Sequence, residues 1–191
     1  MNTLKAEKRS MDIKAKKLRR EGFVTGNLFG REIEGSIPLK FTKKEIEVLL
    51  KNNNKGSQVM LELDGKTYDA LIKEVDYNPL AHTVEEVDFQ ALVSNEMVHS
   101  TAEIILENEE KVMSGVLQDE LKEVAYKALP ADLVDKIKVD VAGMKIGDTL
   151  RVKDLEIAKN KNIHITTDPE AVVATVTPVH NVVPETETEA E

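Results

Sequence analysis

Apolar and polar positions alternate with period two over much of this chain, the periodicity of half-buried strands. Thr3 to Lys8 reads as a first short strand, followed by Phe23 to Gly30, Ile37 to Phe41 and Val84 to Leu92. Val59-Met-Leu-Glu-Leu63, Asp64-Gly65 and Lys66-Thr-Tyr-Asp-Ala-Leu-Ile72 predict a hairpin, because Asp-Gly supplies the positive φ angles of a type I′ turn. Pro79 breaks the loop that follows. Two stretches depart from the alternation. From Lys14 to Arg20, the basic residues Lys16, Arg19 and Arg20 share one helical face beside the apolar anchor Leu18. Glu21-Gly22 stops that turn, glycine being suited to a C-terminal cap. Thr42-Lys-Lys-Glu45 forms a capping box ahead of Ile46, Val48, Leu49 and Leu50, and this second helix ends in the polar run Lys51 to Gly56. Residues 1–92 are therefore expected to form a small β-barrel with two short helices.

A second strand-rich region starts near Val98, with alternation in Ala102 to Leu106 and Ile137 to Val141. Gly115 and Pro130 punctuate it, and a turn runs from Gly143 through Asp148. Asp168-Pro169 precedes a last strand, Ala171 to Val176. The expected organisation is a second β-rich domain over residues 93–177 and an acidic tail over 178–191. The tail lacks periodicity and has the composition of a disordered segment. The fold class is mainly β (α+β), without internal repeats.

Charge changes the picture. The 191 residues sum to −9, a balance that taken alone argues against nucleic acid. Its distribution argues otherwise. Residues 1–31 hold nine basic and three acidic side chains, residues 32–92 seven and twelve, and residues 93–191 ten and twenty. A basic N-terminal arm thus leads an acidic chain. It reads either as a solvated amphipathic helix or as a surface contacting phosphates, whose neutralisation releases counterions.

Other chemistry is sparse. The absence of cysteine excludes disulfides, thiolate metal sites and a cysteine nucleophile. The four histidines, His82, His99, His164 and His180, lie far apart in sequence. No apolar run approaches the roughly 20 residues of a membrane-spanning helix, and the charged N-terminus is no secretory signal. A soluble, intracellular protein without a membrane partner is expected. There is no glycine-rich phosphate loop, zinc-binding His-Glu-x-x-His pattern or nucleophile elbow. Paired acids such as Glu85-Glu86 would point to opposite faces of a strand, which suits no shared acid–base role. The reading is a non-enzyme without cofactor, metal or small-molecule substrate. Aromatic residues are few, three Tyr and four Phe. That argues against a stacking platform for single strands. It favours, for an RNA partner, a structured helix or internal loop read through shape, phosphates and the minor groove.

Several ordered motifs carry a resemblance. Ala6-Glu7-x-Arg9 opens the first strand, and Lys17-Leu-Arg-Arg-Glu-Gly-Phe-Val24 precedes a strand ending Leu28-Phe-Gly30. Val87-Asp-Phe89 closes the first region. The second carries Gly115-Val-Leu-Gln118, Ala128-Leu-Pro-Ala-Asp132, Val139-Asp-Val-Ala-Gly143 and Ile146-Gly-Asp148. In this order and spacing, roughly residues 3–177 resemble the two-domain form of the bacterial large-subunit ribosomal protein family that binds 5S ribosomal RNA, the Ctc general stress protein family. The second set is the more specific, since single-domain members lack it. The resemblance implies an N-terminal barrel docked on an internal-loop helix of 5S ribosomal RNA, other large-subunit proteins as neighbours, and a cytoplasmic, ribosome-associated chain.

Carried over residue by residue, the resemblance implies RNA contacts at Arg9, Lys14, Lys16, Lys17, Arg19, Arg20, Phe29, Asp76, Glu86 and Asp88. Asp88 is retained, and a carboxylate there accepts from a guanine amino group in the minor groove. Other positions depart from the family pattern. Lys16 and Lys17 stand in an arginine-rich helix, and lysine lacks the planar bidentate fork. Phe29 replaces a tyrosine and loses its hydroxyl. Asp76, Tyr77 and Asn78 precede Pro79 where glutamine and arginine are usual, and Glu86 stands in place of a histidine. Two of these changes put a carboxylate where phosphates are expected. The alternative is therefore a divergent, stress-related member with weakened or lost RNA binding, acting as a protein-interaction module.

Overall fold

A computed structural model describes residues 3–112 and 115–178. Six strands form a closed barrel: β1 (Thr3–Lys8), β2 (Phe23–Phe29), β3 (Ser36–Thr42), β4 (Gln58–Leu63), β5 (Lys66–Asn78) and β6 (Thr83–Ala91). Their order is β1-β3-β2-β6-β5-β4, and parallel pairing of β1 with β4 closes the ring. Closure removes the edges that would otherwise seek a partner. Alternate residues fill the interior, among them Leu4, Val24, Leu28, Leu39, Phe41, Leu61, Val87 and Phe89. The rings of Phe41 and Phe89 meet at 5.5 Å, tilted by 55°. Gly26 lies where β2 crosses this pair. A Cβ there would come within 2.1 Å of the Val87 carbonyl oxygen and 3.3 Å of the Phe41 ring.

Local signals set the connections. Helix α1 (Ala15–Arg20) anchors to the barrel through buried Leu18 and ends at Gly22, whose φ is +90°. Helix α2 (Lys43–Leu50) starts at the expected capping box. The Thr42 hydroxyl accepts from Glu45 N–H at 3.3 Å, and the Glu45 carboxylate accepts from Thr42 N–H at 3.2 Å. Asp64 (φ +50°) and Gly65 (φ +77°) make the two-residue turn between β4 and β5. β5 continues past Ile72, where the alternation ends, as far as Asn78. It does so because two bulges reset the pairing with β6. Lys73 is the extra residue on β5, and Glu85 the extra residue on β6.

The rest of the chain builds two small sheets. One has the order β10-β7-β9-β12, from β7 (Val98–Glu107), β9 (Glu123–Ala128), β10 (Lys136–Asp140) and β12 (His164–Ile165). The other is β11-β13-β8, from β8 (Val116–Asp119), β11 (Thr149–Arg151) and β13 (Val172–Thr177). Their shared core holds Ala102, Ile104, Val124, Tyr126, Ile137, Leu155 and Val173. The Tyr126 hydroxyl bonds in both directions, donating to the Val134 carbonyl at 2.7 Å and accepting from the Val134 N–H at 2.8 Å. The expected acidic tail lies outside the described residues, apart from Pro178. No described helix is long and apolar enough to cross a membrane.

Candidate nucleic-acid interface

The outer face of β2, β6 and β5 collects the predicted residues. Inward positions Val24, Gly26 and Leu28 alternate with Thr25, Asn27 and Phe29 on the opposite side, where Thr25 is fully buried and Asn27 and Phe29 are half-buried. β6 lies parallel to β2, with Thr25 beside Glu86 and Phe29 beside Gln90. β5 adds Asp76 directly opposite Glu86 and Glu74 opposite Asp88. Asp76, Glu86, Asp88 and Phe29 therefore share one face, with Phe29 at its far end.

Helix α1 borders this face. Lys14, Lys16, Lys17 and Arg20 are exposed and Arg19 is half-buried. Lys16, Arg19 and Arg20, joined by Lys43 from α2, line a cavity of about 390 Å³ whose remaining walls are Phe23, Thr83, Val84 and Glu85. Four cations face one carboxylate there. Arg19 forms an ion pair with Glu85. Asn78 also donates to Glu85, at 2.7 Å. The Asn78 bond, ahead of the Arg19 guanidinium, holds the Glu85 carboxyl below its ordinary pKa. Arg9 lies on the segment leaving β1. Its N–H donates to the Pro38 carbonyl at 2.9 Å and its Nη2 to the Ile13 carbonyl at 3.2 Å. The Nε atoms of Arg9 and Arg19 are buried without a partner among the described residues.

The expectation that Glu85 and Glu86 point to opposite faces fails. Glu85 is the extra residue of a bulge, so strict alternation is suspended there. Both carboxylates lie near Arg19, Glu85 by contact and Glu86 within Coulomb range. Of the two acids of concern, Glu86 does not turn away from the basic groups, lying within Coulomb range of Arg19 and Arg9, and Asp76 stands opposite it on β5. Burial pushes the Glu86 carboxyl above its ordinary pKa, and neighbouring Asp88 and Asp76 push the same way against Arg19 and Arg9.

Asn27 was not anticipated, nor were Glu85 and Lys43. Asn27 organises the carboxylates. Asp88 Oδ1 accepts from its backbone N–H at 2.9 Å and from its side-chain amide at 3.0 Å, and Glu86 Oε1 accepts from that amide at 3.3 Å. Asp88 is thus oriented, with no described side chain donating to its Oδ2. Among the described residues no group of three or more His, Asp or Glu side chains could hold a metal ion. The face suits a partner that brings phosphates to α1 and a hydrogen-bond donor to Asp88.

Comparison with known proteins agrees in both halves of the chain. Residues 4–89 match the family model of the Ribosomal L25p family, and residues 97–180 that of the ribosomal protein TL5 C-terminal domain. A large ribosomal subunit protein bL25 from Bacillus velezensis is 31% identical over 183 residues, covering 93% of this chain and 89% of the relative. One from Carboxydothermus hydrogenoformans is 32% identical over 173 residues, covering 90% and 85%. One from a Thermoanaerobacter strain is 29% identical over 164 residues, covering 85% and 81%. The chain belongs to the bL25 family of large-subunit ribosomal proteins, structural proteins and not enzymes, in the two-domain form with a TL5-type C-terminal domain.

Proposed function

We propose that this protein is a cytoplasmic structural component of the large ribosomal subunit that binds 5S ribosomal RNA through the barrel, residues 1–92. Residues 93–177 form its second domain. The observation that carries this reading is the convergence of Lys16, Arg19, Arg20 and Lys43 on one cavity beside an oriented Asp88. The helix cations Lys14, Lys16, Lys17 and Arg20 reach phosphates and fix register. Asp88 Oδ2 accepts from a base edge, and Arg9, Phe29, Asp76 and Glu86 border the contact. A gel shift of 5S ribosomal RNA at two salt concentrations tests it. Tight binding that weakens steeply with salt is expected. Absence of a shift at low salt overturns it.

One observation favours a second reading. Asp76 and Glu86 are directly opposed like charges on the contact face, and Arg19 is already paired internally. A protein that had exchanged RNA for a protein partner would tolerate this. It would stay off large subunits in a sucrose gradient, and Asp76→Gln with Glu86→His would restore RNA binding. Comigration of the unmodified protein with large subunits excludes this reading.

A further inference from the structure

A second cationic feature lies where the barrel meets the second domain. On the outer face of the β10-β7-β9-β12 sheet, Lys127 is the direct cross-strand neighbour of both His99 and His164. Such neighbours stand about 5 Å apart, and all three side chains are exposed. The barrel adds Lys73, the extra residue of the β5 bulge, whose Nζ donates to the His99 carbonyl oxygen at 2.7 Å. Between Lys73 and His99 opens a cleft of about 290 Å³, walled also by Lys55 and floored by Thr101 and Ala125.

The acids nearby are largely engaged. Glu123 pairs with Lys55 at 3.6 Å, and Glu103 accepts from Asn54. Glu74 lines the cleft. Among the described residues neither Lys73 nor Lys127 has a carboxylate within ion-pair distance. The titration of Lys73 and His99 points the same way. Burial, then Lys55, pull the Lys73 ammonium below its ordinary pKa against Glu74. Burial, then Lys127 and Lys73, pull His99 down. Positive charge is in excess here, and an anion seated among these groups would relieve it.

We propose that this cleft, lined by Lys55, Lys73 and His99 with Lys127 beside His99 on the adjoining strand, binds a phosphate group, supplied by an RNA backbone or by free phosphate. Lysine provides compact point charges for a phosphate, and the His99 imidazole offers an N–H donor. The RNA source rests on the reading of the chain as an RNA-binding protein, whereas the phosphate chemistry does not.

The test follows the ring protons of His99 and His164 by NMR in the full chain. Signals are assigned through His99→Gln and His164→Gln. One arm titrates inorganic phosphate at constant ionic strength, the other an A-form RNA duplex of arbitrary sequence. Saturable shifts of His99 with both, lost in Lys73→Gln/Lys127→Gln, support an RNA phosphate. Shifts with phosphate alone support the site with the free anion as its ligand. Silence with both overturns the proposal. Lys127→Gln alone changes an exposed side chain and keeps the test valid if the double variant fails to fold. A 5S gel shift separates this proposal from the barrel reading. If the cleft holds RNA, the double variant still binds, with a salt slope shallower by about 0.9 for each phosphate lost. Wild-type 5S binding with a silent His99 sinks the cleft alone. A responsive His99 without 5S binding sinks the barrel reading alone.

Discussion

Glu86 is the residue on which the contact face turns. A carboxyl whose folded pKa lies above its unfolded one supports the fold in its protonated form. That support is fully present below the ordinary value of 4.5 and is lost as pH rises through the higher folded value. At neutral pH Glu86 is therefore a charged burden beside Asp76 and Asp88. Glu86→Gln keeps an oxygen for the Asn27 amide and removes the charge. The variant is expected to melt higher than wild type at pH 7, and the gap is expected to close as pH falls through the raised folded value toward 4.5. Equal melting temperatures at pH 7 would contradict this. Phosphates near Glu86 would raise its pKa further, so RNA binding at this face, as proposed, would take up a proton. Wild-type affinity should strengthen as pH falls toward 5, and the variant should show a flatter profile. Tyr126 is a residue of the opposite kind, buried and bonded in both directions. Tyr126→Phe strands the N–H and C=O of Val134 and should cost about 1–3 kcal/mol, read from urea denaturation.

Gly26 shows what a single element demands. β2 passes so close to β6 and Phe41 that a methyl group has no room. Gly26→Ala should force the strands apart and cost about 1–3 kcal/mol of overpacking. Because β2 carries Asn27 and β6 carries Glu86 and Asp88, 5S RNA affinity should fall with it. A wild-type urea midpoint would refute the steric account. Elements of this locality were legible in the sequence: the Asp64-Gly65 turn, the Thr42–Glu45 box and the basic spacing of α1 each need only a few adjacent residues. The extension of β5 to Asn78 was not legible, since adjacent Leu71 and Ile72 followed by bulged Lys73 break the alternation. Nor was the role of Glu85. Its reach toward Arg19 comes from a bulge, which is a property of register between two strands and not of either strand's own pattern. Short strands such as β12, two residues long, likewise exist only through their partners.

Across the whole molecule the charge of −9 separates into a basic arm and an acidic remainder, so the placement of the second domain shapes the field at the proposed RNA face. That placement depends on the barrel loop before β4. Asn54 reaches Glu103, Ser57 donates to Asp135 at 3.2 Å, and Lys55 pairs with Glu123 at 3.6 Å. Gly56 sits among them with φ +89°, and a Cβ there would lie 1.9 Å from the Thr101 carbonyl oxygen. Domains joined by modest polar contacts move relative to one another by default; here the backbone-to-backbone approach at Gly56 is what lets those contacts form together. Gly56→Ala should therefore loosen the junction while both cores stay intact. Small-angle X-ray scattering should give a larger radius of gyration, and calorimetry should resolve two unfolding transitions. An unchanged radius would show that the polar contacts hold the domains without the close approach. If the acidic domain screens the basic face by its fixed position, the same variant should also change the salt dependence of 5S RNA binding while leaving Lys16, Arg19 and Arg20 in place.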